Sequence, residues 1–208
     1  MARPVPKRVW IDIGGNAMYL TIISNNCSAA ALYQDENMVY GSPTIILQIL
    51  PQEYTKFCKN LEHYMNCDVK PYTEFSDIHR QYCEEFYGQL PYFPCGIIDD
   101  VMILFQHYKT FDEARQKWNL RKSRVNYDNI GFVFILEKPY LKEAVEFGNA
   151  GLPNSVLFTR NFDVDVPCEH YRYDLEPDIE FMGRDKRTGY RNFEQNFDHK
   201  AWFKRFKK

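Results

Sequence analysis

The 208-residue chain is 45% hydrophobic and 26% charged, which excludes a disordered polymer and suits one large domain. Lys and Arg number 26 against 28 Asp and Glu, for a net charge of −2. That balance argues against a dedicated nucleic-acid binder, where a basic excess would be expected.

The six cysteines form no C-x-x-C pair and no zinc-knuckle spacing, and the sequence supplies no recognisable metal-ligand set. The N-terminus MARPVPKRVWIDIGG has no unbroken apolar run of the signal-peptide kind. No segment approaches the roughly 20 apolar residues of a membrane-spanning helix. The expected compartment is therefore the reducing cytoplasm, with the cysteines as free thiols. Aromatic residues make up 16% of the chain, which suits either a Phe/Tyr-rich core or the rim of a pocket for a polar ligand.

In chain order, Leu20–Ser24 (LTIIS) reads as the first buried strand, and Thr44–Leu50 is ambiguous between strand and helix lead-in. Pro51 then opens a helix in which Tyr54, Phe57, Cys58, Leu61 and Met65 make one apolar stripe. Residues 66–96 hold several tyrosines punctuated by Pro71, Pro91 and Pro94, and read as an irregular, aromatic-rich insertion made of a helix plus loop. Val101–Phe105 is the next strand. Thr110 and Glu113 form a T-x-x-E capping box that opens a helix through about Arg124. Strand Ile130–Leu136, a short helix near Tyr140–Phe147 and strand Ser155–Thr159 follow, and a polar, aromatic tail runs from about residue 167.

This alternation predicts a single α/β domain: a mostly parallel sheet flanked by helices, with a core over about 20–161, the insertion and the C-terminal tail. Ligands of open parallel sheets bind outside the carboxyl ends of the strands. If all four strands run the same way, the segments that trail them converge on one edge. These are Ser24-Asn25-Asn26-Cys27, Gln106-His107-Tyr108-Lys109, Glu137-Lys138 and Thr159-Arg160-Asn161.

The Ser24–Cys27 turn is the most distinctive of these. It leads into the small residues Ser28-Ala29-Ala30-Ala31, a helix start suited to an anion such as phosphate. Cys27 reads either as a nucleophile of depressed pKa with His107 as its base, or as buried packing beside amides that cap backbone groups. His107 reads either as an acid/base group or as a ring satisfied by a carbonyl. Asp99 and Asp100 precede the same strand and belong at its far end. Arg121, Arg124, Asn126 and Asp128 end the capped helix, where the arginines either bind an anionic donor or complement the helix dipole. Asp163-x-Asp165 is a chance-level metal pattern. The mixture of cations and aromatics after His199 suits either a frayed helix end or a peripheral membrane contact.

Thr21–Cys27 (TIISNNC), Ser42-Pro43-Thr44 and Leu50-Pro51-Gln52-Glu53-Tyr54 are followed in order by Phe93-Pro94-Cys95-Gly96-Ile97-Ile98-Asp99-Asp100. Next come Phe105-Gln106-His107-Tyr108-Lys109, Lys117-Trp118, Arg121 through Asn129 (RKSRVNYDN) and Phe158-Thr159. The series resembles a bacterial family associated with exopolysaccharide biosynthesis, the domain of unknown function 1919 family. The chain departs from it at Ser28-Ala29-Ala30, where the family carries an aromatic residue and glycines.

The resemblance implies an α/β fold and a carbohydrate or lipid-linked sugar as substrate class, with no catalytic residues to carry over. Combined with the residues above, it yields the expectation of a polysaccharide-assembly transferase acting on a sugar, sugar-phosphate or nucleotide-sugar. Cys27 and His107 would be the catalytic pair. Ser24, Asn25, Asn26, Tyr108, Arg121, Arg124, Asn126 and Asp128 would bind substrate. The alternative is a non-catalytic carbohydrate-binding or assembly protein. No cofactor is indicated.

Overall fold

Each of the four strands read from sequence forms, but they divide between two sheets. The computed structural model describes residues 19–206. The N-terminal stretch searched for a signal peptide, and the final Lys207 and Lys208, lie outside the described residues.

The chain begins with strand Thr21–Ser24 (β1), helix Ser28–Asp35 (α1), strand Gln48–Ile49 (β2), helices Pro51–Lys59 (α2) and Leu61–Asn66 (α3), and strand Lys70–Pro71 (β3). Helix Asp77–Tyr87 (α4), strands Cys95–Ile98 (β4) and Val101–Leu104 (β5), and helix Phe111–Lys122 (α5) follow. Strand Ile130–Leu136 (β6), helix Leu141–Gly148 (α6), strands Ser155–Arg160 (β7) and Glu169–Tyr173 (β8), and helix His199–Phe203 (α7) complete it.

One sheet, in the order β1-β6-β7-β8, is parallel throughout, with Thr21 opposite Ile130 and Phe132 opposite Ser155. Alternate residues of β6 feed two cores, as the two-residue period of a strand requires. Phe132, Phe134 and Leu136 join Tyr54, Phe57, Trp118 and Phe147 on one face. Val133 and Ile135 join Leu32, Tyr33, Phe193 and Trp202 on the other.

The second sheet, in the order β2-β5-β4-β3, is antiparallel, and this corrects the expectation for Val101–Phe105. That run pairs with Cys95–Ile98 in a hairpin turned by Asp99, at φ 53°, and Asp100. Both faces are covered: Val101 and Ile103 enter the core shared with the parallel sheet, while Met102 and Leu104 pack in a smaller core with Cys83 and Cys95. An apolar run buried on both sides carries no mark of strand direction.

Residues 66–96 hold the inserted helix expected there, with strand segments besides. They contribute β3, β4 and α4, which opens on a Ser76 cap accepting from the His79 N–H and ends at Gly88 in the left-handed region. Asp99 and Asp100 do lie at the far end of the hairpin from His107, paired with His63 and Lys56 at 2.8 and 2.9 Å.

The tail is ordered as well. It contributes the edge strand β8 and then turns its aromatic residues inward, with Trp202 and Phe206 buried. A Cβ on Gly131 would lie 2.7 Å from the Phe206 ring and 2.8 Å from that of Trp202. These two rings are committed to the core, while Phe203 is partly buried.

Candidate functional site

The sequence of β1 ends in a turn whose side chains bond back onto the backbone. Ser24 Oγ donates to Asn26 O at 2.6 Å and accepts from the Ala29 N–H at 3.2 Å. Asn26 Oδ1 accepts from the Ser28 N–H at 3.0 Å. The Ser28 and Ala29 amides at the start of α1 are therefore already occupied by side chains of the same turn, which narrows the anion-binding start expected there. Asn25 is buried and pairs with both backbone groups of Ile135. Ser24 and Asn25 thus shape the turn from inside, while Asn26 and Cys27 reach a cavity.

That cavity, about 540 Å³, opens at the carboxyl ends of β1 and β6. Its wall includes Asn26, Cys27, Ala30, Ala31 and Gln34 from the β1 turn and α1, and Glu137 from the residue after β6. Gln106 and His107 arrive at the end of β5 although that strand belongs to the other sheet. The reason is β2. The Ile49 N–H donates to Asn25 O at 2.9 Å, and Gln48 lies opposite Leu104, so β2 fastens the exit of β5 beside the exit of β1. Phe86 and Tyr87 come from the end of α4, and Glu180, Phe181 and Met182 from the tail.

Polar groups in the wall are held in place. Gln106 Nε2 donates to Gln48 Oε1 at 2.7 Å and also to Tyr87 Oη, which itself donates to Gln48 Oε1 at 3.1 Å. Ile46 reaches the wall with φ at 55°, a left-handed conformation that a β-branched residue adopts only when its surroundings impose it.

The electrostatics favour one of the two readings of Cys27. Cys27 shares the cavity with His107, but burial pushes its thiol up to about 11, so the group stays protonated at neutral pH and is a poor nucleophile. Glu137 moves in the useful direction. Burial raises its carboxyl above the ordinary range and Glu180 adds to this, although Arg160, 3.7 Å away, and Lys138 pull the other way.

The remaining sequence candidates sit elsewhere. Tyr108 is buried, donates to Ile45 O at 3.2 Å, and accepts from Arg121 Nη1 at 2.6 Å. Arg121 also donates to Ile45 O and lies over the Tyr40 ring. Arg124 donates to Tyr40 O at 3.2 Å. The Asn126 N–H donates to Thr21 Oγ1 at 2.8 Å, and Asn126 Oδ1 accepts from the Asp128 N–H at 3.1 Å. Thr21 starts β1, whereas Cys27 follows its end. Arg124, Asn126 and Asp128 therefore lie at the amino edge of the parallel sheet, away from the cavity. Arg160 and Asn161 line a neighbouring hollow that shares Glu137. Asp163 pairs with Arg172 at 2.5 Å. Among the described residues, no group of three or more His, Cys, Asp or Glu is placed to hold a metal, and no helix is long and apolar enough to cross a membrane.

The family described as Domain of unknown function (DUF1919) matches residues 16–204. The chain belongs to that family. It is also similar to an uncharacterized protein of Haemophilus influenzae, 28% identical over 192 residues, which covers 88% of this chain and 84% of that protein.

Within this family member, sequence reasoning missed most of the wall. Glu137 was visible as the residue trailing a strand, yet nothing marked it as a half-buried carboxyl. Gln106 was visible in the same way, whereas Gln48 depends on the β2–β5 pairing and Glu180 to Met182 come from a tail without periodicity.

Proposed function

We propose that the chain is an enzyme of surface-polysaccharide assembly, a transferase that acts on a sugar in the cavity at the carboxyl edge of the parallel sheet. The observation that carries this reading is Glu137. It is a half-buried carboxyl held above its ordinary pKa, in a cavity whose wall also offers His107, amide side chains and aromatic rings. A carboxylate tuned upward is a better base near neutral pH than an exposed one. In the transfer step the acceptor hydroxyl oxygen bonds to the transferred group, and the donor's leaving group departs with its electron pair. Glu137 takes the hydroxyl proton, and His107, exposed in the same wall, returns a proton to the leaving group. Aromatic rings and fixed amides are the usual partners for the apolar faces and hydroxyls of a sugar.

The test is Glu137→Gln, which keeps the shape and removes the base. Polysaccharide output should fall by about 100-fold or more, with the thermal midpoint little changed; full output from the variant contradicts the enzyme reading. A second reading, a non-catalytic carbohydrate-binding protein, is favoured by Phe86, Tyr87 and Phe181 in the wall. It predicts that Glu137→Gln and His107→Ala both retain output while Phe181→Ala loses it.

A further inference from the structure

The hydrogen bonds left unmade in the cavity wall describe the ligand it is built for. Asn26 and Gln48 are only 6% and 7% exposed, so each is a carboxamide sunk into the wall of the cavity that both line. Asn26 Oδ1 accepts from the Ser28 N–H at 3.0 Å, which fixes the side chain with Nδ2 at its other end. Among the described residues that nitrogen meets no acceptor, and it is open to the cavity rather than sealed in the core. Gln48 Oε1 accepts from Gln106 Nε2 at 2.7 Å and from Tyr87 Oη at 3.1 Å. Among the described residues, Gln48 Nε2 and Gln106 Oε1 are then left without partners. Exchanging oxygen and nitrogen in both glutamines preserves this pattern, since the bonded pair always leaves one donor and one acceptor over. Amide groups so deeply set are rarely left unpaired, because dehydrating them without a partner is costly. The backbone that delivers Gln48 is also strained: Ile46, two residues earlier, holds φ at 55°. The bond from the Ile49 N–H to Asn25 O brings their chain neighbours, Gln48 and Asn26, to the same part of the wall.

Resting on the reading of this cavity as a sugar site, we propose that its ligand is an N-acetylated amino sugar recognised through its acetamido group. A trans secondary amide presents its carbonyl and its N–H in opposite directions, so it calls on partners from different elements. The carbonyl accepts from Asn26 Nδ2 of the β1 turn, and the N–H donates to the acceptor left over on the Gln48–Gln106 pair. The donor left over on that pair takes a ring hydroxyl. The methyl packs on the apolar part of the wall, where Ala30, Ala31 and Ile46 offer small and aliphatic surface. A neutral group suits a lining that, among the described residues, includes no Lys or Arg, and it leaves Glu137 to the acceptor hydroxyl. A hydroxyl in place of the acetamido group reaches one wall only and leaves the methyl surface bare.

The test is calorimetric titration of the full chain with tetrasaccharides of one linkage, built from N-acetylglucosamine, glucosamine or glucose. The acetylated form should bind about tenfold more tightly than either of the others, the worth of one net hydrogen bond. Asn26→Asp keeps the acceptor for the Ser28 N–H and loses the donor, and it should erase the advantage over the glucose form. Uridine, which carries an amide edge on a flat ring, should not displace the acetylated tetrasaccharide. Equal binding of the acetylated and glucose forms by the unaltered chain, a preference for the amine form, or displacement by uridine overturns the inference and leaves the sugar site standing. An advantage that survives in folded Asn26→Asp overturns it likewise. If no tetrasaccharide binds, the inference and the proposed function fall together.

Discussion

Asn25 completes a hydrogen-bonded pair with Ile135 that no backbone supplies: its Nδ2 donates to Ile135 O and its Oδ1 accepts from the Ile135 N–H, both at 3.0 Å. The side chain thereby extends the pairing of β1 with β6 past Ser24 and fixes the spacing between the two exits that carry Cys27 and Glu137. Asn25→Ala leaves two buried backbone groups without partners, each worth about 1–3 kcal/mol. A total loss of about 2–6 kcal/mol in urea unfolding is expected. Asn25→Asp cannot donate to Ile135 O and should be no better. A loss near zero for Asn25→Ala would mean the turn is held some other way.

Cys27 should be slow to alkylate. With its thiol pushed up to about 11 by burial, little thiolate exists at neutral pH. Mass-spectrometric mapping after iodoacetamide treatment should show modification at Cys27 rising steeply as the pH is raised, and Cys27→Ser should retain polysaccharide output. Rapid labelling at pH 7 would restore the nucleophile reading.

The tail wall of the cavity depends on Asp35. Arg191 grips that carboxylate with two nitrogens, at 2.9 and 3.0 Å, and Arg184 adds a further contact. Asp35→Asn leaves the half-buried Arg191 without its counter-charge, at a cost of about 2–4 kcal/mol. Hydrogen exchange should quicken over residues 176–206 while the parallel sheet stays protected. Uniform loss of protection would instead mean that the tail and the sheet unfold together.

Two histidines give stability the same pH dependence. Burial disfavours a charged His79, but the hydrogen bonds it donates to Glu53, 2.8 Å away, and to Tyr72 outweigh it and raise its pKa to about 9. For His199, the contact with Glu194 at 2.7 Å leads; burial opposes it, and Glu36 at 2.9 Å adds to the rise. A raised folded-state pKa contributes stability in full below the unfolded value of about 6.5. For His79 this is lost as pH rises through about 9. The thermal midpoint should fall from pH 6.5 to 9.5, and His79→Gln should flatten much of that fall. His79→Ala should cost about 3–5 kcal/mol at neutral pH, because Glu53 stays buried with only the Met102 N–H as partner.

Much of the architecture was legible from residue patterns. The capping of α5 by Thr110 and the Pro51 helix start form where their chemistry places them, and the stripe from Tyr54 to Met65 is buried, although the single helix expected to carry it is broken at Asn60 into α2 and α3. The direction of β5 was not, although two apolar runs separated by Asp99-Asp100 carry a hairpin signal that the separate reading of Val101–Phe105 passed over. Cys27 and His107 line one cavity, but not because their strands run parallel: the bond from Ile49 to Asn25 sets the exit of β5 beside that of β1. The position of Arg124 and Asn126 was illegible because it depends on which edge of the sheet the end of α5 returns to. That is a long-range matter on which local spacing is silent.

The account rests on a sugar occupying the cavity between the β1 turn and the tail. Methyl-labelled NMR of the full chain, titrated with an N-acetylglucosamine tetrasaccharide, reads this directly, since Ala31, Ile46 and Met182 line the cavity while Ile98 and Val101 lie in the core away from it. Saturable shifts at the first three with the last two unmoved are the expected result. Shifts confined to other methyls, or none at saturating ligand, would contradict it.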